Sequence, residues 1–432
     1  MQLGAVCRQG RRRRLGHPHR QGGEEHKECG AACHTFSIGL PESTFRAVLE
    51  HLIVHQFDPR EHIPGGVHGF IVDLVKLAPP GHRFRIAGVD AVGSRRLGEW
   101  TTEAIDGREV AFLPLARLSA ATSRRFPHSA RLVAGLVPRR GWGRPAFVHA
   151  HRAETGLALS LRFPQIPLVQ FLHTDAAELL RHRTESLWRL LPRTQLAVES
   201  LAVRRAAAAW VFSAEAARRL HARAGRNWYD DEVFRPRPRT PGGPLTVGWI
   251  GRLEPSKDPL RAAATLAELA RSGVDVRGWF AGSGTLEPAL RQELATRSLA
   301  DRVELRGTLR PDELAAALAE TDVLLVSSLW EGQPRAVLEA LACGVPVVSR
   351  RVGDVPGLLR EGVSGFVANE GSPAELAGLV VRAAPLRGGD AITAAVGEHR
   401  ASRVVGELFE ELERLAATAA RAAGPSRTRP GH

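Results

Sequence analysis

Cysteine is scarce in this 432-residue chain: Cys7, Cys29, Cys33 and Cys343 are too few and too scattered for a disulfide framework. Cys29 and Cys33 lie near His26 and His34, but the spacing fits no zinc pattern, and no metal is expected. No run free of charge is long enough to span a bilayer, since even the Ala/Leu-rich stretch near 312–345 is interrupted by Glu, Asp and Arg. The arginine cluster at 11–14 is not followed by the apolar segment of a secretory leader, so cytoplasmic residence is the expectation. The absence of G-x-x-x-x-G-K-[ST] excludes a P-loop kinase, and no tandem repeat of 20 to 50 residues stands out. Asp-x-Asp is also absent, so a metal-bridged diphosphate is not indicated. Lysine is the rarest cation, with Lys27, Lys76 and Lys257 against 56 arginines. Where a chain so disposed toward arginine keeps a lysine, a compact point charge is called for.

What the chain does have is enough apolar residue, 44%, to bury a sizeable core, and enough length for two domains plus tails. The net charge is +13, of which the first 40 residues carry +4, so anionic partners are expected: nucleic acid, anionic lipid or a phosphorylated small molecule. Residues 1–45 show neither helical nor strand periodicity and read as a disordered extension. From there `HLIVHQ` (51–56), `RFRIAGVD` (83–90), `AFVHAH` (146–151), `PLVQFLHT` (167–174) and `AAWVFS` (208–213) read as strands. Helical stretches stand between most of them: `FIVDLVKLA` puts Ile71, Leu74, Val75 and Ala78 on one face, and Ser213 is placed to cap `AEAARRLHARAG`.

The Pro/Arg/Gly-rich stretch around 236–244 reads as a linker between a domain at 46–235 and a second at 245–395. The second alternates apolar runs such as `LTVGWIG`, `VDVRGWFAG` and `TDVLLVSS` with helices, the pattern of parallel strands buried on both faces. An amphipathic helix at 396–422 and a frayed tail at 423–432 complete the chain. Two consecutive parallel-sheet α/β domains facing a central cleft are predicted.

Chemistry concentrates in the second half, where strand ends meet helix starts. In `GWIGRLEPSKDPL` a strand ends at Gly251, and the following turn presents Arg252 and Lys257 beside a helix starting at about Pro259, an arrangement suited to an anion. The competing reading is a solvated pair bridged to Glu254 or Asp258. In `SSLWEGQPRAVLEALACGVPVVS`, Gly332 allows close backbone approach, Pro334 sits where a helix begins, and Glu331 and Glu339 stand eight apart on loop and helix. Carboxylates beside an anion site suit neutral hydroxyl pairs, such as those of sugars and ribose; helix capping by Glu331 and solvation of Glu339 is the alternative. `AGSGTLEPAL` makes a tight glycine turn at Gly282 and Gly284, but Glu287 occupies the third small position of a dinucleotide fingerprint, which disfavours a dehydrogenase.

Together `GRLEPSK`, `EGQPRAVLE`, `ALACGVPVV`, `VGDVPGLL` and `EGVSGFV` closely resemble the nucleotide-sugar-binding domain of retaining GT-B glycosyltransferases of family 4, the group 1 transferases. The resemblance implies two Rossmann-like domains, with Arg252 and Lys257 on the donor diphosphate and Glu339 on the ribose hydroxyls. It assigns Glu331 and the following Gly332, Gln333 and Pro334 to the donor sugar. In the first half `PGGVHGFIVDL` is similar to the family's glycine loop and implies Gly65 and Gly66 near the diphosphate. `VQFLHTDAAEL` implies His173 at the reaction centre, with His149 and His151 as rivals in `FVHAH`. `RNWYDDEVFRP` resembles a hinge-side segment but has Trp228 where glycine is usual.

The expectation is therefore a metal-independent, cofactor-free transfer of a sugar from a nucleotide diphosphate to an acceptor hydroxyl, with retention of configuration. Eight arginines between Glu109 and Glu154, among them Arg124, Arg125, Arg139, Arg140 and Arg144, form either a solvated basic face or a dock for anionic membrane lipid or glycan, which would put the protein at the inner face of the membrane with a lipid-linked or polymeric acceptor. Alternatives are a nucleotide-sugar 2-epimerase on the same fold and a basic nucleic-acid-binding protein. The latter leaves the glutamate pair idle and lacks aromatic–basic interleaving, so no nucleic-acid partner is expected.

Overall fold

The computed structural model describes residues 48–61, 66–117, 128–136, 141–173, 177, 192–238 and 242–423, all within one compact unit, Ala47–His432. Gly65, the cysteines and histidines of residues 1–45, and Arg124, Arg125, Arg139 and Arg140 lie outside the described residues.

The first sheet is made by β1 (Leu49–Val54), β2 (His82–Asp90), β3 (Thr101–Ile105), β4 (Arg108–Arg117), β5 (Phe147–Ala150), β6 (Leu168–Leu172), β7 (Ala208–Val211) and β8 (Arg223–Ala224). Their order is β3-β4-β2-β1-β5-β6-β7-β8, parallel throughout except where β3 runs antiparallel to β4. Helices α1 (Gly66–Lys76), α2 (His128–Leu136), α3 (Ala153–Arg162), α4 (Pro192–Arg205) and α5 (Ala214–Leu220) connect them. Alternation along β1 shows why the strands are apolar throughout: Ile53 enters one core with Phe70 and Phe171, while Leu52 and Val54 enter another with Leu115 and Leu159. The β3–β4 hairpin was not anticipated. It turns on Asp106 and Gly107, both left-handed (φ 47° and 77°), the conformations that favour Asp-Gly in a two-residue hairpin. Helix α5 also stops earlier than its pattern suggested, because His221 turns left-handed (φ 49°) and sends the chain into β8; its predicted cap, Ser213, accepts a hydrogen bond from the Ala216 N–H at 3.2 Å.

The second sheet comprises β9 (Leu245–Ile250), β10 (Val276–Ala281), β11 (Val303–Gly307), β12 (Val323–Val326), β13 (Val347–Arg350) and β14 (Gly365–Ala368), all parallel in the order β11-β10-β9-β12-β13-β14. The helices are α6 (Pro259–Arg271), α7 (Glu287–Thr296), α8 (Pro311–Ala319), α9 (Arg335–Ala342), α10 (Val355–Leu358), α11 (Pro373–Ala383) and α12 (Asp390–Ala394). Strand order reverses around β9, which lies between β10 and β12. Loops leaving β9 and β12 therefore diverge to opposite sides and open the crevice where ligands of such sheets bind.

The last helix, α13 (Ala401–Ala423), does not stay with the second sheet. Val404, Val405, Leu408, Phe409 and Leu412 insert into the core of the first. The chain thus crosses twice between the sheets, and the crossings bond to each other: the Tyr229 N–H donates to the His399 carbonyl at 3.1 Å and the Ala401 N–H to the Tyr229 carbonyl at 2.9 Å. Among the described residues no helix is long and apolar enough to cross a membrane.

Candidate active site

The loop after β9 and the loop after β12 meet through charge. Lys257 Nζ lies 2.6 Å from both carboxylate oxygens of Glu331, and Ser328 Oγ donates to Glu331 Oε1 at 2.6 Å. Neither competing sequence reading holds for these two residues. Asp258 pairs with Arg261 and caps α6, Glu254 accepts from Thr285, and α9 begins after Pro334 without a cap from Glu331. Pro334 itself sits one position before the first helical residue, a one-residue shift from the expectation. Arg252 is exposed and makes no ion pair with a described residue. Lys257 and Glu331 are thus brought together, with Arg252 on the same loop but apart.

Glycines pack these loops at backbone distance. A Cβ on Gly282 would stand 1.9 Å from the Gly251 carbonyl oxygen, and one on Gly284 would stand 2.4 Å from that of Leu253. The glycine turn after β10 therefore supports the Arg252–Lys257 loop from beneath. Gly332 lies against the other domain: its Cβ would be 2.9 Å from the Phe212 carbonyl oxygen and 3.4 Å from that of His173.

Gln333 is committed to the seam between the two sheets. Its carbonyl oxygen accepts from the Asn227 N–H at 2.7 Å, and its amide donates to the Gly225 carbonyl at 3.2 Å and to Asp354 Oδ2 at 3.3 Å. Both the oxygen and the nitrogen of that side chain are engaged, as are both oxygens of Glu331, but the partners of Gln333 lie along the seam.

Glu339 is buried, at 8% exposure, and does not touch Lys257. Its partner is Arg335, one turn earlier on α9, with Nε 3.5 Å from Oε1. Arg335 reaches across to the first domain, placing Nη2 2.8 Å from Asp73 Oδ2 on α1. Asp73 also accepts from the Trp228 indole N–H at 2.9 Å. Burial holds the Asp73 and Glu339 carboxyls above their ordinary range, with the Arg335 guanidinium opposing it in each case.

Trp228, the residue that departs from the family pattern, is 1% exposed, lies 4.1 Å from the Phe70 ring and is not among the left-handed residues. The turn does without the freedom of glycine and uses the indole as a brace. Sequence reasoning missed Arg335 and Asp73. The signal for Asp73 was an acid three residues after Phe70, on the apolar face of α1.

His173 follows β6 and is partly buried between rings, stacked 4.8 Å from Phe212 and 5.3 Å from His151. Its Nε2 is 3.0 Å from His151 Nδ1. Burial, assisted by the positive Arg335, lowers its pKa to about 3, so the ring is neutral near neutrality. His151 is the member of the rival pair that touches it. His149 points into the sheet instead, with Nε2 2.9 Å from His51 Nδ1, and His51 continues to His82 at 2.8 Å. Gly66 opens α1, and a Cβ there would lie 3.9 Å from Arg335 Cδ.

Two parallel-sheet α/β domains joined by a double crossover, with loops of both at one crevice, define a GT-B architecture. Solved structures agree in fold: sucrose-phosphate synthase from Thermosynechococcus elongatus is 17% identical with a TM-score of 0.70, covering 86% of this chain and 100% of that one. HepE from Anabaena, solved with UDP and glucose, is 18% identical with a TM-score of 0.63, covering 84% of this chain and 99% of that one. The family profile described as glycosyl transferases group 1 matches residues 244–384. A D-inositol 3-phosphate glycosyltransferase of Nocardiopsis dassonvillei is 30% identical over 308 residues, 63% of this chain and 70% of that protein. The chain belongs to the group 1 glycosyltransferases. Similarity to the amylovoran biosynthesis glycosyltransferase AmsK of Erwinia amylovora, 34% identical over 145 residues, takes in 32% of this chain and only 36% of that protein.

Proposed function

We propose that the protein transfers a sugar from a nucleotide-diphosphate donor to an acceptor hydroxyl, with retention at the anomeric carbon and without a metal or other cofactor. The observation that carries this reading is the Lys257–Glu331 pair at the strand-order reversal of the second sheet. Lys257 supplies the compact cation for the diphosphate and Glu331 accepts from hydroxyls of the adjacent sugar, so each holds the other in place until a donor arrives. Arg252, exposed on the same loop, closes over the outer phosphate. Glu339 takes the ribose hydroxyls, and Gly66 at the start of α1 approaches the diphosphate from the other side, with Gly65 preceding it.

As the bond between the anomeric carbon and the phosphate oxygen breaks, its electron pair goes to that oxygen, where Arg252 and Lys257 stabilise the growing charge. The acceptor oxygen bonds to the anomeric carbon from the same face and passes its proton to the leaving phosphate oxygen. His173, neutral and held by His151, orients the sugar or the acceptor. The bound UDP in HepE supports a nucleotide donor. The arginine-rich stretch between Glu109 and Glu154, of which Arg117 and Arg144 are exposed, favours an anionic lipid-linked or polymeric acceptor at the inner face of the membrane.

The test is thermal shift with UDP, GDP and ADP and their sugars, followed by NMR of the sugar released when donor alone is slowly hydrolysed. One nucleotide is expected to raise Tm, and the first-formed sugar is expected to carry the donor's anomeric configuration. Release of the opposite anomer would overturn retention. Accumulation of a donor epimerised at C2 would identify an epimerase instead. Salt-insensitive binding to anionic vesicles would count against the basic dock.

A further inference from the structure

We propose that Arg335 is a positioning residue that aims Glu339 at the ribose of the donor, and that Asp73 of the first domain holds Arg335 in that pose. The inference rests on the assignment of Glu339 to the ribose and adds how that carboxylate is held and by which domain. One guanidinium serves two buried acids: Nη2 lies 2.8 Å from Asp73 Oδ2, and Nε lies 3.5 Å from Glu339 Oε1. The two contacts are unequal, so Arg335 is anchored on Asp73 and leans on Glu339. Its third nitrogen, Nη1, is buried and finds no partner among the described residues. A Cβ on Gly69 would stand 3.2 Å from that atom, so the missing side chain there is what allows α1 to pass over the guanidinium.

Isolated, a buried carboxyl takes up a proton, and a protonated carboxyl spends one oxygen as a donor rather than accepting from two hydroxyls. Arg335, with Nε 3.5 Å from Oε1, opposes this at Glu339, favouring the ionised form in which both oxygens accept and giving the carboxylate a fixed neighbour. Because the anchor Asp73 belongs to α1, the ribose site is complete only when the first domain is docked on the second. The Trp228 indole, which donates to the same Asp73 oxygen, stiffens that anchor from the crossover segment.

The readout is preference for ribose, measured by titration calorimetry on the full chain with UDP, GDP and ADP and their 2′,3′-dideoxy forms. The parent is expected to bind the ribose form of one of them about ten-fold or more tighter, the equivalent of one charge-assisted hydrogen bond. Arg335→Met is expected to bring the two forms within about two-fold, by weakening the ribose form alone. Arg335→Lys, which keeps the charge should the Met variant not fold, and Asp73→Asn are expected to give intermediate ratios. Arg335→Met or Arg335→Lys that keeps the parent ratio while Glu339→Gln loses it would overturn the positioning role. Equal weakening of both forms would assign Arg335 to packing and overturn it as well. A Glu339→Gln protein with the parent ratio, or a parent that binds none of the three nucleotides, would instead sink the donor assignment beneath it.

Discussion

The two domains meet the crevice with opposite chemistry. The second presents charge: Lys257 on Glu331, Arg335 beside Glu339, Arg252 exposed nearby. The first presents neutral rings: His173 between Phe212 and His151, and behind them His149 and His51, whose chain of hydrogen bonds ends on His82 beside Glu413. Paired charges hold a charged ligand, because each partner can be exchanged for a phosphate or a hydroxyl at small cost. Stacked neutral rings hold shape, since imidazoles kept uncharged by burial neither repel one another nor attract an anion.

The largest effect that would test this contrast is acid sensitivity confined to the first domain. Burial lowers His51, His55 and His151 well below their ordinary range and His149 to about 3. Below about pH 6.5 the unfolded chain binds protons that the folded chain refuses, so stability rises with pH in this window and is lost on acidification. Each of the fully buried rings His51, His149 and His151 takes away up to about 1.4 kcal/mol per pH unit. Asp73 and Glu339, raised by burial, act in the opposite sense at lower pH and offset part of the loss. Unfolding free energies from urea titrations should fall by several kcal/mol between about pH 7 and about pH 5. A flat profile would mean that these rings are not buried neutral and would remove the contrast.

Next in size is Lys257→Ala. It should fold, since the Lys257–Glu331 pair is partly exposed to solvent, yet lower kcat by about 10²–10³, the scale of one lost electrostatic contact to developing charge. Single-turnover transfer checks it, and an unchanged rate would take the cation out of the chemistry. Smaller again is Trp228→Phe. The ring still fills the site against Phe70, but Asp73 loses the indole N–H and keeps Arg335, for a cost of about 1–2 kcal/mol in chemical denaturation.

The second domain was far more legible than the first, and the residues explain why. Arg252, Lys257, Glu331 and Glu339 sit in loops and a helix start whose glycines and prolines punctuate regular βα units, so local spacing singled them out as candidates. That Lys257 closes on Glu331, 74 positions away, depends on β9 and β12 being neighbours in the sheet, which spacing alone does not encode. In the first domain the histidines read as strand residues, and only the parallel register of β1, β2 and β5 stacks them. The β3–β4 hairpin carried an Asp-Gly signal that went unread among the strands, and α13 gave no hint that it would cross back to the first core. Arg335 was hidden in plain view, printed within the motif but paired through a helix from the other domain.

The smallest predicted effect concerns the seam where neutral and charged halves join. Asp354, from the second domain, accepts from the Ala214 N–H at the start of α5, with Oδ2 at 3.2 Å, and from the Gln333 amide at 3.3 Å. Asp354→Ala removes a carboxylate facing a helix start across the domain boundary, worth about 0.3–1 kcal/mol where exposed. Gln333 keeps its bonds to Asn227 and Gly225, so the seam loosens without opening. Thermal unfolding should shift by a few degrees or less, and the shift should shrink in high salt, because the contact is electrostatic and near the surface. A salt-independent loss of the same size would point to packing at the seam, and would make the boundary between the two chemistries one of shape alone.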